Sequence, residues 1–493
     1  MTQYNKKYKK SSDSSVIKNN YSSQEIPLNE YIFTTETRGN GATSIKFEYT
    51  KTLNFLHSRG YRAFNNELIC IVDNIAKVVS REDIFKFLLN HIEYTFKDDS
   101  ITNAFYKDGE SLIIKKEGLL LGIKEAEREP LRDDASNCFI AYKNGVVKTS
   151  KSKIEILKYS ELECFVWEEQ IIDRNFEFIS YYDISPNVYD KCLRNSTNNS
   201  DHFKSVISAI GYLVHNYKDQ RLTKAIIIND ENLEEENERG GSGKGLIVKA
   251  ISKVRPVLII NGKNADPIND RFFLQGVTQR TCVISIDDPK RNMNFESYFS
   301  YLTEGMTVEE KHKKSKFIPF KYSPKFSFTT NYTVKGDSSS HRRRRFDIFI
   351  NGYYSSEHTP DKDFGHEFFE DWDKSEWNKF DFFIAKCAQT FLKKGLVSYD
   401  SHELKLKKLR NETSADFYDL MENHYNQHKI QYSFSEVRAK LVSTYGNKYE
   451  FVNKDYKLIS RWISMYANYK GFGLVTDRKS EGIWFWFVID KND

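Results

Sequence analysis

Four short apolar runs between residues 224 and 331 constrain this chain more than anything else in it: "KAIIIN", "PVLIING", "TCVISIDD" and "KFSFTTN". They do not alternate apolar with polar residues and are too short for buried helices. They read as strands covered on both faces, the habit of parallel sheets. Parallel neighbours need crossover connections, and "LIVKAISKV" supplies one, with Leu246 and Ala250, and Ile247 and Ile251, at helical i, i+4 spacing. Residues 200 to about 395 therefore read as an α/β layer. In such layers ligands gather at the carboxyl ends of the strands. Attention falls on the polar residues that end or follow these runs: Lys244, Asp287 and Asn331.

The segment "DENLEEENERGGSGKGLIVKAISKV", residues 230–254, leads from the first strand into a helix. A phosphate-binding loop reads G-x-x-x-x-G-K-[ST]. Gly240, Gly241 and Gly243 can expose backbone N–H groups to phosphate oxygens. Ser242, Gly245 and Leu246 complete the loop and the first turn of the helix, and Lys244 brings the neutralising charge. Two positions depart from the pattern: Glu238 replaces the first glycine, and Gly245 replaces the hydroxyl that reaches for magnesium. Alone, the loop is equally a plain strand–turn–helix. The acidic run before it would repel phosphate if packed close, so it is expected to be a solvated excursion.

Three further features bear on the choice. "TCVISIDD" ends in Asp287 and Asp288; a carboxylate there holds the water shell of magnesium, although an Asp-Asp turn before proline is common at surfaces. Asn331, after another apolar strand, can position a water beside a terminal phosphate. "HRRRRFDIF" places Arg342–Arg345 against a β-like run, so at least one arginine is held at the end of a structured element. Arg344 and Arg345, nearest the strand, are expected to serve as a charge-stabilising finger for a neighbouring subunit; a solvated basic patch or a nuclear targeting signal are the alternatives. Between these lies "LTEGMTVEEKHKKSKFIPF", where Lys311, Lys313, Lys314 and Lys316 suit a basic hairpin tracking a phosphodiester backbone, or else a solvated loop.

The flanks differ in pattern. Residues 1–30 form a lysine-bearing polar tail with no apolar core, and 31–199 an α+β region that suits recruitment or assembly. There "LICIVDN" and "IAKVVS" read as a hairpin, "SREDIFKFLLNHIEYTF" as a helix, and Asn144-Gly145 as a turn. Residues 401–493 give three helices and then a hairpin, the order of a winged helix, with Arg461, Lys470, Arg478 and Lys479 as candidate phosphate contacts. A net charge of +5 over 493 residues makes any nucleic-acid affinity a matter of local clusters. Six scattered cysteines without a C-x-x-C pair read as reduced thiols, and no apolar run nears the roughly 18 residues needed to span a bilayer.

Taken in order, "GGSGKGL", "VISIDD", "LTEGMTVEEK", "SPKFSFTTNY" and "RRRRFDIFINGYY" resemble the superfamily 3 helicases. The likeness is greater to the helicase part of phage and mobile-element primase–helicase proteins, including poxvirus-type relatives. It runs from about residue 40 to 400 and implies an α/β AAA+ core between the α+β region and the winged helix. It also implies hydrolysis of ATP with Mg2+ at subunit interfaces of a homo-oligomer, usually a hexamer, moving on single-stranded or forked DNA. By the same likeness Lys244 is the P-loop lysine, Asp287 and Asp288 the acidic pair with Asp287 nearest the metal, and Asn331 the sensor. Lys311 and its neighbours are the pore hairpin, and Arg344 or Arg345 the finger. The fused primase is not recognisable, which makes a separate primase or polymerase an expected partner. No membrane is implied, and the place of action is the cytoplasm of a bacterial host. Because Gly245 lacks the hydroxyl, a second reading stands beside this one: a DNA-binding assembly factor or helicase loader that binds ATP and hydrolyses it weakly.

Overall fold

The computed structural model describes residues 32–37, 39, 43–115, 121–179, 186–230, 241–312, 314–331, 334, 336, 338–400, 405–406, 409–410, 412–453, 455–480 and 482–489. Contacts divide the chain into two units: residues up to Pro130 with Glu163–Glu168, and Leu131–Leu162 with Glu169 onward.

In the first unit β1 (Phe33–Thr37) pairs antiparallel with β2 (Thr43–Phe47), and α1 (Tyr49–Ser58) follows. The chain then turns at Gly60, where φ is +87° and an added Cβ would lie 2.1 Å from the Ile71 carbonyl oxygen, so only glycine fits. A meander of β3 (Tyr61–Phe64), β4 (Glu67–Val72) and β5 (Ile75–Val78) contains the expected hairpin, and Val166–Trp167 adds a parallel edge to it. The expected helix is α2 (Arg81–Phe96), opened by a reciprocal Ser80–Asp83 capping box, with α3 (Asp99–Gly109) after it. Phe55, Leu56, Ile84, Leu88, Ile92 and Phe105 fill the core.

The second unit opens with an antiparallel sheet of β6 (Asn137–Tyr142), β7 (Gly145–Ser150) and β8 (Ile154–Leu157). The tight loop is Lys143-Asn144, one residue earlier than the sequence pattern indicates, and Gly145 opens β7 with φ of +142°. The boundary expected at 199/200 falls inside this unit. Cys138, Ile140, Tyr142 and Val147 join the apolar cluster of α5 (Ser200–Val214), which follows α4 (Val188–Asn195). Arg174 reinforces the join, donating from Nε and Nη2 at 2.6 Å each to the two carboxylate oxygens of fully buried Asp381.

The central sheet has five parallel strands. In chain order they are β9 (Ala225–Asp230), β10 (Val257–Asn261) and β11 (Val283–Asp287), then, beyond a small hairpin of β12 (Met306–Val308) and β13 (Lys316–Ile318), β14 (Lys325–Thr330) and β15 (Arg345–Ile350). Across the sheet the order is β10-β11-β14-β9-β15. Helix α6 (Lys244–Ser252) leaves β9, α7 (Ser339–Arg344) precedes β15, and α8 (Lys374–Lys394) packs on α5. Alternate residues of β9 explain its unbroken apolar run. Ile226 and Ile228 meet α5, α6 and α8, while Ala225 and Ile227 meet Phe295, Tyr298 and Leu302 on the other face. Each such buried isoleucine contributes on the order of 1.5–3 kcal/mol. Helices α5 and α8 approach so closely that a Cβ at Gly211 would stand 2.1 Å from the Cys387 carbonyl oxygen.

Toward the C-terminus α9 (Ala415–His424), α10 (Phe434–Tyr445) and α11 (Tyr456–Lys470) come in the expected order, around a separate core of Phe417, Leu420, Val437, Leu441, Trp462, Phe485 and Phe487. The short β16 (Tyr432–Ser433) and the hairpin β17 (Phe472–Lys479) and β18 (Gly482–Ile489) form an antiparallel sheet ordered β16-β18-β17. Among the described residues no helix is long and apolar enough to cross a membrane.

Candidate nucleotide site

Because β9, β11 and β14 are parallel and in register, their carboxyl ends lie at one edge of the sheet. Asp287 is level with Thr329, and Thr329 with Ile228. Gly241 and Gly243 hold φ of +96° and +92°, left-handed values that turn the chain from the loop into α6 without a side-chain penalty. Gly243 is the N-cap of α6, a nine-residue helix whose first N–H groups have no carbonyl partner within the helix. Gly240 and the rest of the acidic run after Asp230 lie outside the described residues.

Lys244 opens α6 and reaches back across the edge. Its Nζ donates to Asn331 Oδ1 at 2.6 Å, to Ser242 Oγ at 3.2 Å, and to the carboxylate of Asp230. An ammonium has three donors, so these bonds engage all of them. Lys244 and Asn331, 87 positions apart in the chain, are thus neighbours, and Ser242 is buried beside the lysine. Asp230 went unrecognised in the sequence, where it is merely the first letter of an acidic run. It is the last residue of β9, and its ion pair with Lys244 is largely sheltered, the side chains being 13 % and 11 % exposed. One acidic residue of the presumed excursion therefore belongs to the site.

Asp287 accepts a hydrogen bond from Thr329 Oγ1 of the adjacent strand, a second contact the sequence did not suggest. The signal was present in "FTTN": Thr329 sits two positions before Asn331. Asp288 has φ of +51° and turns away from its neighbour to pair with Lys263 at 3.0 Å. The acidic pair is therefore split between the sheet edge and a surface lysine. Magnesium binds through one or two carboxylates together with phosphates and retained waters. A donor set of Asp287 and bound phosphate fits that habit, with no hydroxyl at Gly245. A Cβ at Gly245 would meet nothing within 4 Å.

The arginine run divides in two. Arg345 is buried, donating to the Val334 carbonyl at 2.7 Å and standing 3.4 Å from Asp347 and 3.9 Å from Glu412. Arg344 is half-buried over the Phe299 ring, 4.5 Å from its centroid. Of the two arginines favoured from sequence, Arg345 is thus taken up within the chain, while Arg344 keeps part of its side chain open to solvent. Arg342 and Arg343 of α7 are exposed. The basic stretch does form a hairpin, β12–β13, with Lys311, Lys314 and Lys316 exposed and Phe317 beside them 64 % exposed; Lys313 lies outside the described residues. In the C-terminal part Lys470 pairs with Glu422 at 3.0 Å.

No protein-family model matches the chain, and no curated protein matches it. Among solved structures, two apo A-form structures of the NrS-1 C-terminal region are similar at 12% identity. Their TM-scores are 0.37 and 0.38, and the alignments cover 89% of this chain and 99% and 98% of theirs. Likeness of that degree carries no functional inference, and the functional reading rests on the site: a lysine, two strand-end carboxylates and a strand-end amide gathered at one edge of a parallel sheet.

Proposed function

We propose that the chain is an ATP-hydrolysing DNA helicase or translocase of the AAA+ superfamily 3 type, serving replication of a phage or mobile genetic element as a ring of identical subunits. The observation that carries the reading is the Lys244–Asn331 hydrogen bond, which joins the loop after β9 to the end of β14 at the edge where Asp287 also lies. In this reading the N–H groups of Gly241 to Gly245 and the positive end of α6 cradle the phosphates, and Lys244 exchanges one of its bonds for a phosphate oxygen. Asn331 orients the attacking water. Magnesium, held by Asp287 and the phosphates, would neutralise charge on the transferring group. Arg342 and Arg343 replace Arg344 and Arg345 as the finger offered to a neighbouring subunit. The exposed lysines of β12–β13 follow the DNA backbone, and the three C-terminal helices with their hairpin support a winged-helix module.

A second reading, an ATP-binding assembly factor or loader with weak hydrolysis, is favoured by one feature: Gly245 lacks a hydroxyl while Asp230 competes for the lysine. Turnover of ATP with and without single-stranded DNA separates the two. A motor shows DNA-stimulated turnover that is lost in Lys244→Ala and in the double variant Arg342→Ala plus Arg343→Ala. Nucleotide-dependent oligomers without turnover would sink the motor and leave the assembly factor.

A further inference from the structure

The phosphate-loop candidate touches a segment that neither the loop pattern nor the strand ends point to. A Cβ at Gly241 would lie 3.1 Å from both the Ser355 carbonyl carbon and the Ser356 nitrogen, and one at Gly243 would lie 4.0 Å from Pro360 Cγ. The turn after β15 therefore lies directly against the loop, and a side chain at Gly241 would press on its backbone.

That turn carries three aromatic rings in mutual contact. Tyr354 is buried; its hydroxyl donates to Asp363 at 2.9 Å and accepts from Asn195 Nδ2 at 3.1 Å. Tyr353 stands edge-on to Tyr354, centroids 4.8 Å apart, and to His358 at 5.3 Å. His358 stacks on Tyr354 at 5.6 Å and 23°. Tyr353 is nevertheless 48 % exposed, and the His358 side chain 46 %. Backbone and amide bonds hold the turn in place. Tyr353 N donates to Asn351 Oδ1 at 3.1 Å, Asn351 Nδ2 to the Asn195 carbonyl at 2.9 Å, and Ser355 N to the His358 carbonyl at 3.0 Å.

We propose that Tyr353 and His358 form the base-binding side of the nucleotide site, stacking on the ring of ATP while the loop at Gly241–Lys244 holds its phosphates. The inference rests on the phosphate-site reading above. A nucleoside triphosphate carries its base one ribose beyond the α-phosphate, within reach of the turn that lies against the loop. That turn presents a pre-organised aromatic surface with two rings partly open to solvent. Because Asn351 and Asn195 already fix the turn, stacking requires little further ordering of the chain. A base on an aromatic side chain contributes enough to change affinity by about tenfold on alanine substitution, equivalent to about 1.4 kcal/mol.

The test compares ATP with tripolyphosphate, which has the phosphates and no base, by titration calorimetry of the full chain. Tyr353→Ala and His358→Ala are expected to weaken ATP binding about tenfold and to leave tripolyphosphate binding unchanged. Tyr353→Phe is expected to retain wild-type affinity for both. Tyr353→Leu, which keeps bulk without a ring, replaces the alanine variant should that one misfold. Lys244→Ala is the control for the phosphates. If it binds both ligands as tightly as wild type, or if wild type binds neither, the phosphate-site reading fails and takes the base site with it. If Lys244→Ala weakens both ligands while the Tyr353 variants change neither, or change both equally, the base site alone is overturned.

Discussion

Replacing Asp230 with asparagine is expected to tighten ATP binding while loosening the unliganded protein. Asn keeps the shape and one acceptor oxygen, so the perturbation is chiefly the loss of charge. Lys244 and Asp230 are each little more than one-tenth exposed, so water screens their attraction weakly, unlike that of surface pairs. A hydrogen bond to a charged group contributes about 1.5–3 kcal/mol, and a charged partner about doubles a neutral bond. The substitution should therefore cost the unliganded protein about 1 kcal/mol. Phosphate must draw Lys244 from the same carboxylate, and that carboxylate also repels phosphate. Both effects then favour binding in the variant, together by about tenfold, or about 1.4 kcal/mol. Calorimetric titration with ATP reads the affinity, and thermal melts with and without saturating ATP read the linkage, with the melting deficit closing as nucleotide is added. The same substitution in a Lys244→Ala background should have no effect on affinity beyond the small repulsion term. Unchanged or weaker ATP binding by Asp230→Asn would refute the reasoning and make Asp230 part of the phosphate-bound arrangement.

Gly245→Ser should be accommodated without loss of stability, since its Cβ meets open space, and should raise ATP turnover by restoring a hydroxyl beside the metal; unaltered turnover with unaltered magnesium dependence would count against the site. Asp381→Ala leaves the Arg174 guanidinium without its bidentate partner and should cost about 3–5 kcal/mol in denaturant unfolding, whereas a cost below about 1 kcal/mol would show that the pair is dispensable. His215 is buried, and its desolvation lowers its pKa to about 4 from an ordinary 6.5. The unfolded chain therefore binds a proton that the folded chain refuses, and stability is lost as pH falls from about 6.5 toward 4, by about 3 kcal/mol in all. Melting curves against pH should be steeper over that window for wild type than for His215→Asn; equal slopes would remove His215 as the cause.

The apolar strands were legible because burial on both faces leaves an unbroken run such as Ala225–Ile228, and parallel pairing then forces their ends together. That is why Lys244 and Asn331 could be joined across 87 positions from pattern alone. What stayed hidden depends on side-chain direction. Asp230 looks in sequence like its acidic followers, yet as the last strand residue it turns into the site. Arg345 looks like its neighbours, yet it is the residue at which α7 becomes β15, and that change of geometry carries it inward to Val334 and Asp347. The three-stranded sheet of residues 137–157 reads in sequence only as a strand-like stretch of the 31–199 region, while its inward face belongs to the core around α5.

Strand β9 also works as a tie rod. At its start, the Lys224 ammonium clips the carbonyls of Arg342 and Arg345 at 2.8 and 2.9 Å, spanning the passage from α7 into β15. At its finish stands Asp230, clasped to Lys244. Between them β9 runs in register with β15 from Ala225 opposite Arg345 to Asp230 opposite Ile350. A load applied to Arg342 or Arg343 is therefore borne by a member about 20 Å long whose far end is the lysine's own anchor. Any body that grips those arginines pulls on the same beam that seats Lys244.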